Sequence, residues 1–324
     1  MRLASLPGVG RHQLERALRQ FSSLLEAPPP AELRPAAPPE LVEIPDFGPN
    51  PGRLGLYGYA AAGLSPGRPL VLLLHGCGQS AAGFAAGSGW LDAAARLGIA
   101  VVAAEQRRAN HHAGCFHWFR STDTARERGE AASIRAMVAT AAAVYGSDPA
   151  RIFVLGLSAG GAMAASVLAA YPELFAGGAI IAGLPAGAAH SFAHGVARMA
   201  DAGPPPATGW AEVVRAAAPA GHAGPWPRLT IWHGAADTTV DPANAENLVR
   251  QWTGVHGLDI AAGRTDRGGL RRSWGHRDRP AVEAWIMPGM GHGLPVAAAR
   301  ADGYFLEADI DATAEIARFW RLAD

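Results

Sequence analysis

Lysine is absent from the 324-residue chain, so its positive charge rests on arginine alone; the 28 basic residues are matched by 28 acidic ones. With no net charge and no basic stripe, the electrostatic footprint that nucleic-acid binding requires is missing. The all-arginine habit, beside abundant alanine and glycine, reads as genomic base composition rather than adaptation to phosphate. Long apolar runs are lacking too, and none approaches the roughly 20 residues of a membrane span. The segment from Met1 to Gln20 carries Arg2, Arg11, Arg16 and Arg19 without an apolar h-region, which predicts a cytoplasmic protein. Cysteine is scarce, with Cys77 and Cys115 alone, too few for a disulfide scaffold or a Cys-rich zinc site. In a reducing cytoplasm free thiols are the expectation; a bridge between the two is the alternative, since both fall in loops that approach the same edge of the fold.

What remains is enough chain for one generous α/β domain. Residues 10–25 place Leu14, Leu18, Phe21 and Leu25 at helical spacing opposite arginines. Pro28, Pro29 and Pro30 stop that helix, and Pro35, Pro38 and Pro39 keep the next stretch extended. Residues 1–41 are therefore expected to form a helical arm and a proline-rich linker, its apolar stripe docking on the core or adhering to a hydrophobic particle. From residue 42 to 324 strands alternate with helices. Strands are predicted at 53–60 (an edge strand), 69–74, 99–104, 152–155, 178–182, 229–233 and 281–287, the last taken as final. Helices are expected at 90–97, 129–145, from 161, 245–252 and 310–322. Such alternation implies a mostly parallel sheet covered on both faces. Residues 185–228, rich in Ala, Gly, Pro and His with short helical patches such as 211–218, read as a small cap above the sheet rather than a domain.

The chain is organised around Arg151 to Gly161: Arg-Ile-Phe-Val-Leu-Gly-Leu-Ser-Ala-Gly-Gly. Four apolar residues make a buried strand, and Gly156-Leu157-Ser158-Ala159-Gly160 turns into a small-residue helix. That is the context a G-x-S-x-G nucleophile turn requires. The serine must sit at positive φ, and side chains larger than hydrogen at the flanking glycines would collide across the turn. Ser158 is thus the candidate nucleophile. A base and an orienting acid should come later in the chain in the order Ser, Asp, His. Asp237 lies on the loop after the strand Leu229 to His233, with Asp241 close enough to substitute for it. His292 lies in the glycine-flanked loop Pro288 to Gly293 after the strand ending at Met287. Loops at one edge of a parallel sheet converge, so the three can share a site. An oxyanion hole needs two backbone N–H groups: Ala159, directly after the nucleophile, and Cys77 in the loop His75-Gly76-Cys77-Gly78 are the candidates.

These residues carry a resemblance. Leu-His-Gly-Cys-Gly-Gln at 74–79, Cys115-Phe116-His117-Trp118-Phe119, Gly129-Glu130-Ala131, Gly156 to Met163 and Trp232-His233-Gly234 with Asp237 resemble the poly(3-hydroxybutyrate) depolymerase family of α/β-hydrolases. The likeness runs from about residue 42 to the C-terminus. It is similar to the intracellular type, with no signal peptide, threonine-rich linker or separate polymer-binding domain in view. The resemblance implies a serine esterase cleaving short-chain hydroxyalkanoate esters through an acyl-enzyme, with Ser158, Asp237 and His292 as triad and Cys77 and Ala159 as oxyanion donors. It also places Trp118 near the polymer chain, with a core role as its alternative; His75 and Gln79 are further candidates for substrate binding. No metal or cofactor is required, and a polymer-granule surface is a candidate partner. The chain departs from the family pattern at His117, often Asn, and at Ala186 to Ala189, where Tyr and Cys are usual. Both departures bear on which acyl group is accepted. Rivals are a feruloyl, acetyl-xylan or broad polyester esterase, which would share every catalytic residue, and a non-catalytic granule-binding protein, against which an intact triad argues.

Overall fold

The computed structural model describes residues 39–298 and 303–323. The expected helix over 10–25 and the linker up to residue 38 lie outside the described residues. The strands, in chain order, are β1 (Val42–Glu43), β2 (Gly55–Ala60), β3 (Leu70–Leu74), β4 (Ala100–Glu105), β5 (Ile152–Leu157), β6 (Gly177–Ile181), β7 (Arg228–Gly234), β8 (Arg264–Asp266), β9 (Arg271–His276) and β10 (Arg279–Met287). They form one sheet in the order β1-β2-β4-β3-β5-β6-β7-β10-β9-β8. The six strands from β4 to β10 in that order are parallel, and antiparallel pairs extend both edges. The segment expected at the edge, β2, lies one strand in, because β1 pairs outside it. The β8–β9 hairpin escaped the sequence pattern because its arginines interrupt any apolar alternation.

Helices cover both faces: α1 (Ala81–Gly87), α2 (Trp90–Leu97), α3 (Ser121–Thr124), α4 (Gly129–Tyr145), α5 (Ala159–Ala170), α6 (Phe192–Ala200), α7 (Trp210–Ala217), α8 (Ala243–Val255) and α9 (Ala312–Trp320). Leu70, Leu72 and Leu74 of β3 join one core with Ile134 of α4, Met163 of α5 and Trp252 of α8. Val71 and Leu73 point the other way, to Phe84, Trp90 and Phe319. Burial on both faces is why the parallel strands read as unbroken apolar runs rather than alternating ones. Within the cap, α6 was not anticipated; its Ala-, Gly- and His-rich surroundings masked a helix capped by Ser191 Oγ, which accepts the His194 N–H at 3.2 Å. Nor is β10 the last strand. β11 (Leu294–Val296) and β12 (Phe305–Glu307) pair in parallel as a separate two-stranded sheet.

The register of β7 against β10 matters most for the site, since their C-terminal loops carry Asp237 and His292. Trp232 lies beside Trp285 in that register, and their rings stack at 4.6 Å. Beneath them Thr230 Oγ1 donates to Glu283 Oε1 at 2.9 Å, Trp285 Nε1 donates to the same oxygen at 3.0 Å, and Arg271 Nε donates to Glu283 Oε2 at 2.8 Å. Slipping β7 by one residue against β10 would break the Trp232–Trp285 stack and the Thr230–Glu283 hydrogen bond, so the two loops start level.

Candidate active site

Ser158 sits between β5 and α5 at φ 57°, ψ −118°, a conformation that costs a non-glycine residue about 1–3 kcal/mol. The flanking glycines show what holds it there. A Cβ on Gly160 would lie 2.1 Å from the Leu74 carbonyl oxygen, and one on Gly156 2.1 Å from the Gly160 carbonyl oxygen. Neither position admits a side chain, so strand, turn and helix close on one another with Ser158 at the apex. The helix it opens, α5, is buried throughout, which accounts for its run of Ala and Gly.

The β7 and β10 loops are drawn together by backbone. Ala235 N donates to Met287 O at 2.9 Å and Ala236 N to Met290 O at 3.0 Å. Gly234 has no room for a Cβ, which would meet the Met290 oxygen at 2.2 Å. This contact brings His292 onto Asp237, with Nδ1 to Oδ2 at 2.7 Å. Oδ1 of the same carboxylate accepts the Thr239 and Val240 N–H groups at 2.8 and 2.9 Å. A second imidazole, His233, reaches Oδ2 at 3.2 Å and the Val240 carbonyl at 3.0 Å through Nε2, which faces two acceptors and therefore carries the proton. Burial by itself would raise the Asp237 carboxyl, but the His233 and His292 hydrogen bonds, joined by Val240 N–H, outweigh it. The carboxyl is held well below the usual range. An ionised Asp237 fixes His292 with Nδ1 protonated and Nε2 free to accept. The alternative acid, Asp241, is spent on structure: its carboxylate accepts the Ala243 and Ala202 N–H groups.

Ser158 and His292 line one cavity of about 120 Å³ together with Gly76, Cys77, Gln79, Met199, Thr239 and Tyr304. In the loop after β3, Gly76 N–H donates to Gln79 Oε1 at 2.9 Å and Gly78 N–H to Ala113 O at 2.8 Å. Between them the Cys77 N–H has no acceptor among the described residues. Ala159 is the first residue of α5, so its N–H belongs to the set a helix cannot satisfy internally. Two unspent donors thus flank the serine. Cys77 and Cys115 are disulfide-bonded, with Cα atoms 4.4 Å apart, which corrects the expectation of free thiols. The pairing brings the loop after β3 against the loop after β4.

Of the side chains assigned to substrate, Gln79 lines the cavity and braces the Gly76 N–H. His75 does not line it. Its Nδ1 lies 2.8 Å from Gly76 O and its Nε2 accepts the Gln106 N–H at 3.0 Å, so both nitrogens are used inside the protein and burial holds its pKa down. Trp118 is buried, packed under α6 and edge-on to Phe119. His117 is likewise internal: Glu130 accepts from its Nδ1 at 2.7 Å and from its backbone N–H at 2.8 Å, and from Gln106. His117, Asp123 and Glu130 are close enough to share a cation, but with these bonds made the Glu130 carboxylate is committed to anchoring the 115–119 loop on α4. Sequence reasoning missed His233, Met199 and Tyr304. His233 was visible as the next-to-last residue of β7, four residues before Asp237; Met199 and Tyr304 arrive from the cap and from the residues before β12, where no pattern announced them.

The family described as Esterase PHB depolymerase matches residues 54–275. The chain belongs to that family. Poly(3-hydroxyalkanoate) depolymerase C of Paucimonas lemoignei is 38% identical over 262 residues, covering 79% of this chain; the match spans 62% of that depolymerase's length. An acetylxylan esterase of Coprinopsis cinerea is 30% identical over 280 residues, covering 82% of this chain and 72% of the relative. Among solved structures, acetyl xylan esterase from Aspergillus awamori superposes with a TM-score of 0.74 at 25% identity, over 87% of this chain and 99% of that one. The family's α/β-hydrolase fold is the one described above. No helix among the described residues is long and apolar enough to cross a membrane.

Proposed function

We propose that the chain is a serine esterase that cleaves the ester bonds of short-chain hydroxyalkanoate polyesters, with residues 42–324 as its catalytic unit. Ser158 Oγ attacks the ester carbonyl while His292 Nε2 takes its proton, and Asp237 holds the imidazole and stabilises the imidazolium. The Cys77 and Ala159 N–H groups receive the developing oxyanion. Collapse of the tetrahedral intermediate expels the alcohol, which leaves with the proton from His292. Water, deprotonated by His292, then attacks the acyl-enzyme, releasing the acid and restoring Ser158. The observation that carries this reading is convergence: Ser158 and His292 open on one cavity, with Asp237 Oδ2 2.7 Å behind the imidazole.

The 38% identity to depolymerase C supports a polyester as substrate. The acetylxylan esterase likeness favours a second reading, deacetylation of a polysaccharide by the same residues. A polymer particle or granule is the partner that the first reading brings with it. The Cys77–Cys115 bridge favours an oxidising compartment over the cytoplasm expected from the N-terminus. Release of 3-hydroxybutyrate monomer and oligomers from amorphous poly(3-hydroxybutyrate), measured beside acetate release from acetylated xylan and hydrolysis of a soluble butyrate ester, separates the two readings. Polymer degradation exceeding xylan deacetylation supports the first, and the reverse order replaces it with the second.

A further inference from the structure

Helix α6 has its polarity reversed. Its polar residues His194 and Arg198 are half-buried, with Arg198 Nε donating to His194 Nε2 at 3.1 Å and Nη1 to Ala202 O at 3.3 Å. The residues turned to solvent are Phe192, Ala193, Val196, Ala197 and Ala200, none of which carries a charge or a side-chain hydrogen-bonding group. Phe192 is 60% exposed and Val196 49%, among the few large hydrophobic side chains that stand open to water in the described residues. A surface helix ordinarily shows the opposite arrangement, and an exposed apolar patch marks a binding surface.

This face leads to the catalytic cavity. Phe192, Val196 and Met199 recur at i, i+4 and i+7, and Met199 lines the cavity that holds Ser158 and His292. From Phe192 to Met199 the stripe is about 10 Å long, from the rise of an α-helix. At the cavity wall Tyr304, 39% exposed, stands edge-on to His292 at 6.2 Å. The helix is also held firmly. Gly195 is buried where a Cβ would lie 3.1 Å from Trp118 and 3.2 Å from Phe119, and Phe192 packs edge-on against Phe119 at 5.5 Å.

We infer that the outward face of α6 is a docking surface for the polyester chain beyond the ester being cleaved. The inference rests on the polyesterase reading and deepens it. A cavity of about 120 Å³ has room for little more than the reacting ester unit, so a longer substrate must continue over the adjoining surface. A polyester of hydroxyalkanoate units is uncharged, methyl-bearing and without hydrogen-bond donors along its length, which matches a face that offers only apolar groups. A hydroxyl-rich polysaccharide would find no side-chain hydrogen-bond partner there.

The test uses the full chain. Two variants, Phe192→Ser with Val196→Ser and, independently, Ala193→Glu with Ala197→Glu, are compared with wild type for adsorption to a poly(3-hydroxybutyrate) film, product release from the film, and hydrolysis of a soluble butyrate ester. The expected result is about a tenfold or greater loss of adsorption and film hydrolysis, from the apolar contact removed, with kcat/KM on the soluble ester within about twofold of wild type. Film hydrolysis at the wild-type rate in both variants overturns the inference and leaves the polyesterase reading standing. Parallel loss on film and soluble ester also overturns it, since α6 would then act on the catalytic cavity itself. A wild type that cleaves the soluble ester but neither adsorbs to nor degrades the film overturns both. Conversion of a wild-type dimer to monomer by the substitutions, seen by light scattering, assigns the face to a second copy of the chain instead.

Discussion

Replacing Cys115 by serine removes the tether on the loop that presents the Cys77 N–H. The bridge spans 38 residues of sequence. Closing a loop of that length removes unfolded-state entropy equivalent to about 4 kcal/mol at 25 °C. For a domain of this size, at about 2–4 °C per kcal/mol, the melting temperature should fall by about 10 °C. The catalytic effect is smaller than loss of an oxyanion donor, about 10²–10³, because the Gly78–Ala113 hydrogen bond at 2.8 Å and the Gln79 brace on Gly76 still hold the loop. About a tenfold fall in kcat, with KM changed less, is expected. Calorimetry and steady-state hydrolysis of a soluble butyrate ester, each with and without reductant, provide the assay. Reductant should bring wild type down to the variant and leave the variant unmoved. A Cys115→Ser protein that melts within about 2 °C of wild type and keeps its kcat would refute the assignment of the bridge as support for the oxyanion loop.

Three further outcomes are expected from the geometry. Asp237→Asn should lower kcat by about 10⁴, because the imidazole loses the acceptor that fixes its tautomer; a loss under tenfold would remove Asp237 from the triad. Gly160→Ala must push a Cβ toward the Leu74 carbonyl, now 2.1 Å from its ideal place, and should cost about 3 kcal/mol or more, read as a shift in the denaturant midpoint. His75 is held neutral by burial, its pKa below 6.5, so the unfolded chain takes up a proton that the folded protein does not. Its contribution to stability is therefore intact above about pH 6.5 and declines as the pH falls below that value. Denaturant melts at pH 7.5 and 5.5 should show a smaller pH-dependent loss in His75→Gln than in wild type.

Much of this arrangement could be read from the chain before any coordinates. The parallel strands announced themselves because burial on two faces demands short continuous apolar runs, as in Leu70 to Leu74, and α4 was visible over its full length from its periodicity. Ser158 and His292 stand out as candidates because the glycines beside the serine and around the histidine are local signals, and Asp237 because it follows the end of a strand. What stayed hidden depends on distance in the chain. His75 and Trp118 look like cavity residues in the sequence, and it takes the Gln106 N–H and the close approach of Gly195 to turn them inward. The pairing of Cys77 with Cys115 likewise needed two loops to be brought within 4.4 Å. Helix α6 was hidden by its composition, and the same composition leaves its apolar face in water.

The most direct test of the proposed chemistry is to look for the covalent intermediate. Wild type and Ser158→Ala would be quenched in acid during turnover of a soluble 3-hydroxybutyrate ester, digested, and mapped by mass spectrometry. One hydroxybutyryl group is expected on the wild-type peptide at Ser158 and none in the variant, whose turnover should fall by about 10⁶. An acyl group at another residue, or steady turnover by Ser158→Ala, would contradict the mechanism.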